Sequence, residues 1–396
     1  MAEAAAPVTR DQVAAYRLAR HHLDRRAPKH ALVSVVGSMA GAQAQLLSAA
    51  QISLSARTAG LTVADVDTAL AQRLVVKVGC MRRTLYLVPA GLVAVFVRGT
   101  ARRAEKEVRW ALRKGVPSRV VDAAIDAALG ALDEPLTRAE LAERACRALG
   151  TRPRVVHGGG WGSRGKVAAV PVGALTYPVV DLLHLAAARG VVCYGEPRDG
   201  EPTFVRADAW VPGYEEVAPE DAETRLLQRY LEAFGPATAA DFAAWAGVTL
   251  REARGLWARL EGELATIDVQ GSEARLLLAD VDRLSRARME RPHVRLLPYF
   301  DSYLLGHADR GHLVPDAHRR QVSRAQGWIA PVVLVDGRVL GVWKHARKSS
   351  RLAVEVTPLG RLTRRVVAGI QAEADELRRF LGAEDLQVTI GETGRT

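Results

Sequence analysis

Two glutamines one residue apart, Gln43 and Gln45, stand in the stretch Gly37-Ser-Met-Ala-Gly-Ala-Gln-Ala-Gln-Leu-Leu-Ser, and their type and spacing suggest chemistry more than any other pair in the chain. Residues i and i+2 of an extended segment point to the same side, so the two amides can face a common point. Each amide offers a carbonyl acceptor and an NH2 donor, and two of them can hold a water molecule from both sides. The plain alternative is a pair of solvated loop glutamines, and residue type alone does not separate the two.

Basic side chains form the second group. Lys344, Arg347, Lys348 and Arg351 follow a strand-like run ending at Trp343, Arg82 and Arg83 lie between two further strand-like runs, and Arg164 and Lys166 lie with Trp161 in a glycine-rich loop. With 55 Lys and Arg against 44 Asp and Glu, the formal net charge is +11. Short Lys/Arg clusters with hydroxyls suit contacts to a phosphate backbone, which also release counterions. A solvated surface of an arginine-rich chain explains the same clusters. The run from Arg295 to Arg310 mixes apolar and polar side chains too densely for a linker. Within it Asp301 reads first as a buried carboxylate accepting backbone N–H groups, and second as a ligand contact.

Several chemistries are excluded. Residues Gly160 to Lys166 follow phosphate-loop spacing until Val167, which stands where a magnesium-binding Ser or Thr is required. The ten histidines show no metal-ligand spacing, no G-x-S-x-G elbow is present, and Cys80, Cys146 and Cys193 are scattered without a C-x-x-C. The cysteines read as small buried hydrophobes. No metal and no cofactor are expected. No apolar run reaches the roughly 18–20 residues of a membrane span, and the N-terminus lacks signal-peptide character, so a cytoplasmic protein without membrane contact is expected.

The elements around these residues follow from capping boxes and periodicity. Thr9, Thr62, Thr137, Thr238 and Thr249 each precede a helix-like pattern with Gln, Asp or Glu three residues on. Helices at 223–234, from 238 and from 249 are followed by strands at 264–269 and 274–278, which is the order of a winged helix-turn-helix. A comparable order recurs near the N-terminus and, more weakly, in the middle, where 172–189 reads as mostly helical despite Pro178. From Pro292 strands dominate, with Asp336-Gly337 as a type I′ hairpin turn, and 362–381 reads as a long amphipathic helix. The fold class expected is α+β, mainly α: three tandem winged helix-turn-helix motifs and a small β-rich domain with a C-terminal helix. The boundaries expected are 1–115, 116–215, 216–290 and 291–396.

Several long stretches in this order resemble the AlkZ-like family of winged-helix DNA glycosylases, which includes the YcaQ type. They are Gln43-Ala-Gln45, Met81 to Val88, Gly235 to Trp245, Leu296 to Gly306 and Val335 to Trp343. The resemblance implies a basic, concave DNA channel beside a β-barrel-like domain. It also implies excision of bulky N7-alkylated purines from duplex DNA, with crosslink unhooking and self-resistance to a genotoxic natural product in some members. Gln43 and Gln45 match the glutamine, apolar residue, glutamine signature of the AlkZ type and are identified as the catalytic pair. Arg82, Arg83, Arg164, Lys166, Lys344, Arg347, Lys348 and Arg351 are candidate DNA contacts. Tyr86 stands where the family pattern has His, and Tyr86, Asp301 and Tyr303 are therefore either lesion-site or structural residues.

An N7-alkylguanine is cationic and its base departs neutral, so hydrolysis needs a placed water and tolerance of an oxocarbenium-like sugar more than a strong general acid. The expectation is a monofunctional, monomeric glycosylase acting on double-stranded DNA near the bacterial nucleoid. The rival reading is a non-enzymatic winged-helix transcriptional regulator, which would usually bring a dimerising helix; no sustained heptads are present.

Overall fold

Thr9 with Gln12, Thr62 with Asp65, Thr137 with Glu140, Thr238 with Asp241 and Thr249 with Glu252 all close reciprocal capping boxes. Each satisfies two of the N–H groups that a helix start leaves without a partner. The helices opened are Arg10–Arg20, Val63–Ala71, Arg138–Ala148, Ala239–Ala246 and Leu250–Arg259. Gly247 ends the fourth in the left-handed region at φ 80°, where a side chain would be strained.

The computed structural model describes residues 8–158, 165–187, 189–290, 292–324 and 327–392. It is a mixed α+β fold, 46% helical and 24% strand. The chain divides into two compact units that interleave along the sequence, one made of residues 1–75, 84–89 and 227–396, the other of 76–83 and 90–226.

In the second unit, helices Ser118–Gly130, Arg138–Ala148 and Val179–Ala186 bury Val121, Ile125, Leu141, Ala145 and Leu182 in one core. Strands Arg154–Gly158, Gly165–Val172 and Leu175–Pro178 form an antiparallel meander. Val192–Tyr194 pairs with Thr203–Arg206 in a hairpin, and Thr203–Arg206 pairs with Leu136–Thr137. The helix expected over 172–189 begins only at Val179. Pro178 disfavours helical backbone at Tyr177 before it, so Leu175–Pro178 stays extended and Pro178 becomes the N-cap residue. Gly165–Val172 is a strand where a phosphate loop would start its helix.

In the first unit, the C-terminal half of helix Pro219–Phe234, then Ala239–Ala246 and Leu250–Arg259, precede the hairpin Leu264–Val269 with Ser272–Leu277. Tyr230, Phe234, Phe242 and Trp245 pack ring on ring with centroids 5.1–6.1 Å apart. A five-stranded sheet follows, in the order Val294–Leu297, Val332–Val335, Arg338–Lys348, Arg351–Pro358, Asp385–Ile390. Its last pairing is parallel and the others antiparallel. Asp336 and Gly337 turn the hairpin with φ of 49° and 80°, as a type I′ turn requires. Helix Arg364–Phe380 buries Val366, Ile370, Leu377 and Phe380 with Leu296, Leu352 and Val354 in one core. Among the described residues the strands form an open sheet and no closed barrel.

Candidate active site

Helix Leu32–Ser38 belongs to the same core through Leu32, Val35 and Val36. It ends by donating the Gly41 N–H to the Val36 carbonyl at 3.0 Å, with Ala40 and Gly41 both left-handed at φ 52° and 84°. A side chain on Gly41 would meet the Leu87 carbonyl and the Tyr86 ring at 3.2 and 3.3 Å, so only glycine lets the chain pass here. The reversal places Ala42–Gln43 as a short strand against Leu85–Pro89, with Gln43 opposite Tyr86 and the Ala44 N–H bonded to the Leu85 carbonyl at 2.6 Å. Helix Leu47–Ser55 then leads away.

Gln43 is 6% exposed and Gln45 is half-buried, so the pair consists of an inner and an outer amide rather than two amides on one open face. Gln43 Oε1 accepts the Gln45 backbone N–H at 3.4 Å. Neither side-chain NH2 donates to any described residue, which leaves both amides able to bind something else. Tyr86, fully buried, shares the ladder position of Gln43; directly opposed residues of an antiparallel pair project to the same face.

Both flanks of this loop are tied to residues 301–302. Ser302 Oγ donates to the Gly41 carbonyl at 2.8 Å. Asp301 accepts Arg57 Nη1 and Nη2 at 2.8 and 2.7 Å, Ser53 Oγ at 2.7 Å and the Tyr303 N–H at 3.0 Å. Arg57 and Asp301 are wholly inaccessible to solvent. Such a pair adds little net stability compared with apolar packing, yet losing one partner strands a buried charge. Asp301 is thus buried and accepts one backbone N–H, as expected of it, together with side-chain donors from Ser53 and Arg57 that its neighbours in sequence do not point to. Ser53, Arg57 and Ser302 were not singled out from sequence; the faint signal was an Arg four residues after a Ser, just past the end of helix Leu47–Ser55.

A model of the family described as DNA glycosylase AlkZ-like matches residues 36–380. The chain belongs to the AlkZ-like DNA glycosylase family. It is 31% identical over 390 residues to the interstrand DNA cross-link repair glycosylase of Streptomyces sahachiroi, covering 96% of this chain and 98% of that one. The solved structure of the Streptomyces sahachiroi DNA glycosylase AlkZ superposes with a TM-score of 0.81 at 29% identity, covering 98% of this chain and 100% of that one. This AlkZ-like protein is therefore a DNA glycosylase, an enzyme of DNA repair with DNA as its substrate.

The basic candidates of this AlkZ-like enzyme are not equivalent. Lys348 and Arg351 are exposed, face one another across the turn at Ser349 and Ser350, and have no partner among the described residues. Like charges directly opposed destabilise a hairpin unless an anion joins them. Lys344 pairs with Glu355 at 2.8 Å, and Arg347 donates to the carbonyls of Leu381 and Gly382 at 2.6 and 3.3 Å, where it caps the helix end. Lys166 is exposed on its strand, and Arg164 lies outside the described residues. Arg82 and Arg83 both adopt positive φ, 54° and 59°. The Arg83 guanidinium is engaged by Glu107 at 2.9 Å, by Asp181 at 2.6 Å and by His184 Nδ1 at 3.1 Å. Burial, then the field of Arg83, pushes the His184 pKa down to about 3, so that ring nitrogen stays a neutral acceptor.

Tyr303 is buried with its ring 5.3 Å from His21, edge to face. The three cysteines are buried thiols outside any disulfide among the described residues, and Cys193 Sγ lies 3.6 Å from the Val205 carbonyl. Among the described residues no group of three His, Cys, Asp or Glu is placed to hold a metal, and no helix is long and apolar enough to cross a membrane.

Proposed function

We propose that this glycosylase hydrolyses the N-glycosidic bond of N7-alkylated purines in duplex DNA, with Gln43 and Gln45 placing the attacking water. The observation that carries the reading is a pair of amides at i and i+2, each with an NH2 that bonds no described residue, on a loop anchored at both flanks. Gln45 is the outer amide and orients the water beneath C1′; Gln43 supplies the second hydrogen bond from within. Amide dipoles stabilise developing positive charge on the sugar less than a carboxylate does, so the enzyme depends on a lesion whose bond is already labile. Bulky adducts, interstrand crosslinks and protection against a genotoxic natural product belong to the same reading. The likeness to an interstrand cross-link repair glycosylase supports the crosslinks among these.

Lys348, Arg351 and Lys166 contact phosphates, with Arg82 beside them in role. Lys344 and Arg347 shape the hairpin that carries the first two. Three winged-helix motifs followed by a β-rich segment, at 1–115, 116–215, 216–290 and 291–396, are the organisation that best accounts for the order of elements. Its best-formed member is the run of three helices and a hairpin from Pro219 to Leu277.

The test is single-turnover release of base from duplex DNA carrying N7-methylguanine or a bulkier N7 adduct, read as abasic sites after alkaline cleavage. Gln43→Ala and Gln45→Ala should each slow release about a hundredfold or more at unchanged DNA affinity. Base release at the wild-type rate by both variants overturns the assignment of the glutamines. A protein that shifts a specific promoter fragment and releases no base from any alkylated duplex overturns the enzymatic reading of this chain's site in favour of a regulator.

A further inference from the structure

In the first unit a cavity of about 480 Å³ opens beside helix Arg10–Arg20, and the glutamines do not line it. Its walls hold an unusual set of unsatisfied groups. Arg17 is 8% exposed, and its Nη2 and Nε donate to the carbonyls of Pro236 and Gly235 at 2.7 and 3.4 Å. Among the described residues its Nη1 has no hydrogen-bond partner and no carboxylate forms an ion pair with it. Carbonyl dipoles replace part of the lost hydration, and the field of Asp241 reaches Arg17 without forming an ion pair, so the guanidinium lacks a direct counter-charge.

Beside it the Tyr303 hydroxyl, on a residue only 3% exposed, bonds no described residue, and neither do His307 Nδ1 and His312 Nε2. Gly337 leaves room for that hydroxyl, since a side chain there would come within 3.1 Å of it. His307 Nε2 meets the Phe234 carbonyl at 3.1 Å and must carry the proton to bond it, which makes Nδ1 a bare acceptor. Burial, then the field of Arg17, holds His307 well below the usual imidazole range and pushes His312 down to about 3.

The acids around the cavity are occupied. Asp241 accepts the Thr238 N–H and hydroxyl and the Ala308 N–H. Asp309 accepts the Gly311 N–H and an Arg319 guanidinium, and Glu273 lies beside Arg275.

We propose that this cavity is a binding site for a phosphate group, with Arg17 as its counter-charge, the Tyr303 hydroxyl as a donor and His307 Nδ1 as the acceptor of a P–OH proton. The donors suit any oxyanion; the bare histidine nitrogen selects one that keeps a proton. That favours phosphate over sulfate or a carboxylate. The volume admits inorganic phosphate with water, or a nucleoside monophosphate.

The experiment is calorimetric titration of the full chain with inorganic phosphate, with deoxyguanosine monophosphate and with sulfate, at matched ionic strength and neutral pH. Phosphate should bind with one site, and sulfate about tenfold or more weakly. Tighter binding of the nucleotide than of inorganic phosphate identifies a phosphate monoester as the ligand; equal or weaker binding identifies the free ion. Tyr303→Phe removes a hydroxyl that bonds no described residue, so the thermal midpoint without ligand should hold while phosphate affinity falls about tenfold. Absence of a phosphate-specific signal in the wild type overturns the proposal. So does unchanged affinity in Tyr303→Phe with an unchanged midpoint, or equal binding of sulfate. None of these outcomes depends on how Gln43 and Gln45 act, because no base release is measured.

Discussion

Ser302→Ala isolates the positioning of the glutamine loop from its chemistry. The substitution deletes one hydroxyl that donates to the Gly41 carbonyl at 2.8 Å in a buried setting and leaves no new charge. A buried hydrogen bond of this kind stabilises by about 1–2 kcal/mol, a modest share of the stability of a chain this size. Folding should therefore survive, with the thermal midpoint lowered by a few degrees. The loop, however, passes Gly41 in a left-handed conformation and reaches Gln43 two residues later, so a released carbonyl shifts the amides directly. A displacement of about 1 Å at a reacting group costs on the order of a hundredfold in rate. The assay is single-turnover base release at saturating enzyme, well below the variant's melting temperature, alongside equilibrium binding to the same duplex. The expected result is a rate lowered about 10- to 100-fold with DNA affinity unchanged. A rate equal to wild type once the fraction folded is accounted for would refute the anchoring role. Affinity lost in parallel with rate would instead place Ser302 in DNA binding.

At the hairpin tip, Lys348→Ala with Arg351→Ala should reduce the slope of log affinity against log salt by about 1.8, at roughly 0.9 per phosphate contact; a slope equal to wild type makes the tip a solvated surface. Stability should also depend on pH through buried histidines. Burial holds His21 and His307 well below the imidazole range, so each gains a proton on unfolding and not before. Their contribution is complete above the unfolded value of about 6.5 and declines as pH falls below it. Urea unfolding at pH 7 and pH 5 reads this directly, and equal midpoints at the two values contradict it.

Local signals carried much of the architecture. A capping box needs only two side chains three residues apart, and Asp336-Gly337 needs only two residues able to take positive φ, so both were legible without tertiary knowledge. Strand Asp385–Ile390 was not, because its residues alternate between exposed and half-covered and leave no apolar run to see. Its parallel pairing to Arg351–Pro358 requires helix Arg364–Phe380 as the crossover, a long-range fact. The helix expected across Pro178 failed for a local reason that outweighed its apolar content. At the site, the glutamines were visible by spacing, whereas the inward placement of Gln43 depends on a partner strand more than 40 residues away. That Glu107 and Asp181 engage Arg83, a candidate DNA contact by sequence, was not legible because both are distant in the chain.

The placement of neutral amides at the end of a rigid anchor accounts for why so much buried polarity is concentrated around residues 301–302. A carboxylate in the position of Gln45 could accept some misplacement, since charge attraction falls off slowly with distance. An amide acts through directed hydrogen bonds, which weaken steeply once the angle departs from linear. Water orientation by Gln43 and Gln45 thus demands a loop fixed more tightly than a charged site would need. The desolvated Arg57–Asp301 pair, a doubtful gain for stability alone, supplies that fixity by holding the helix that leaves the loop, while Ser302 holds the turn that enters it. On this reasoning Asp301→Asn leaves Arg57 as an unpaired buried charge and costs about 3–5 kcal/mol, so it reports on folding. Ser302 is the residue through which anchoring and chemistry can be told apart.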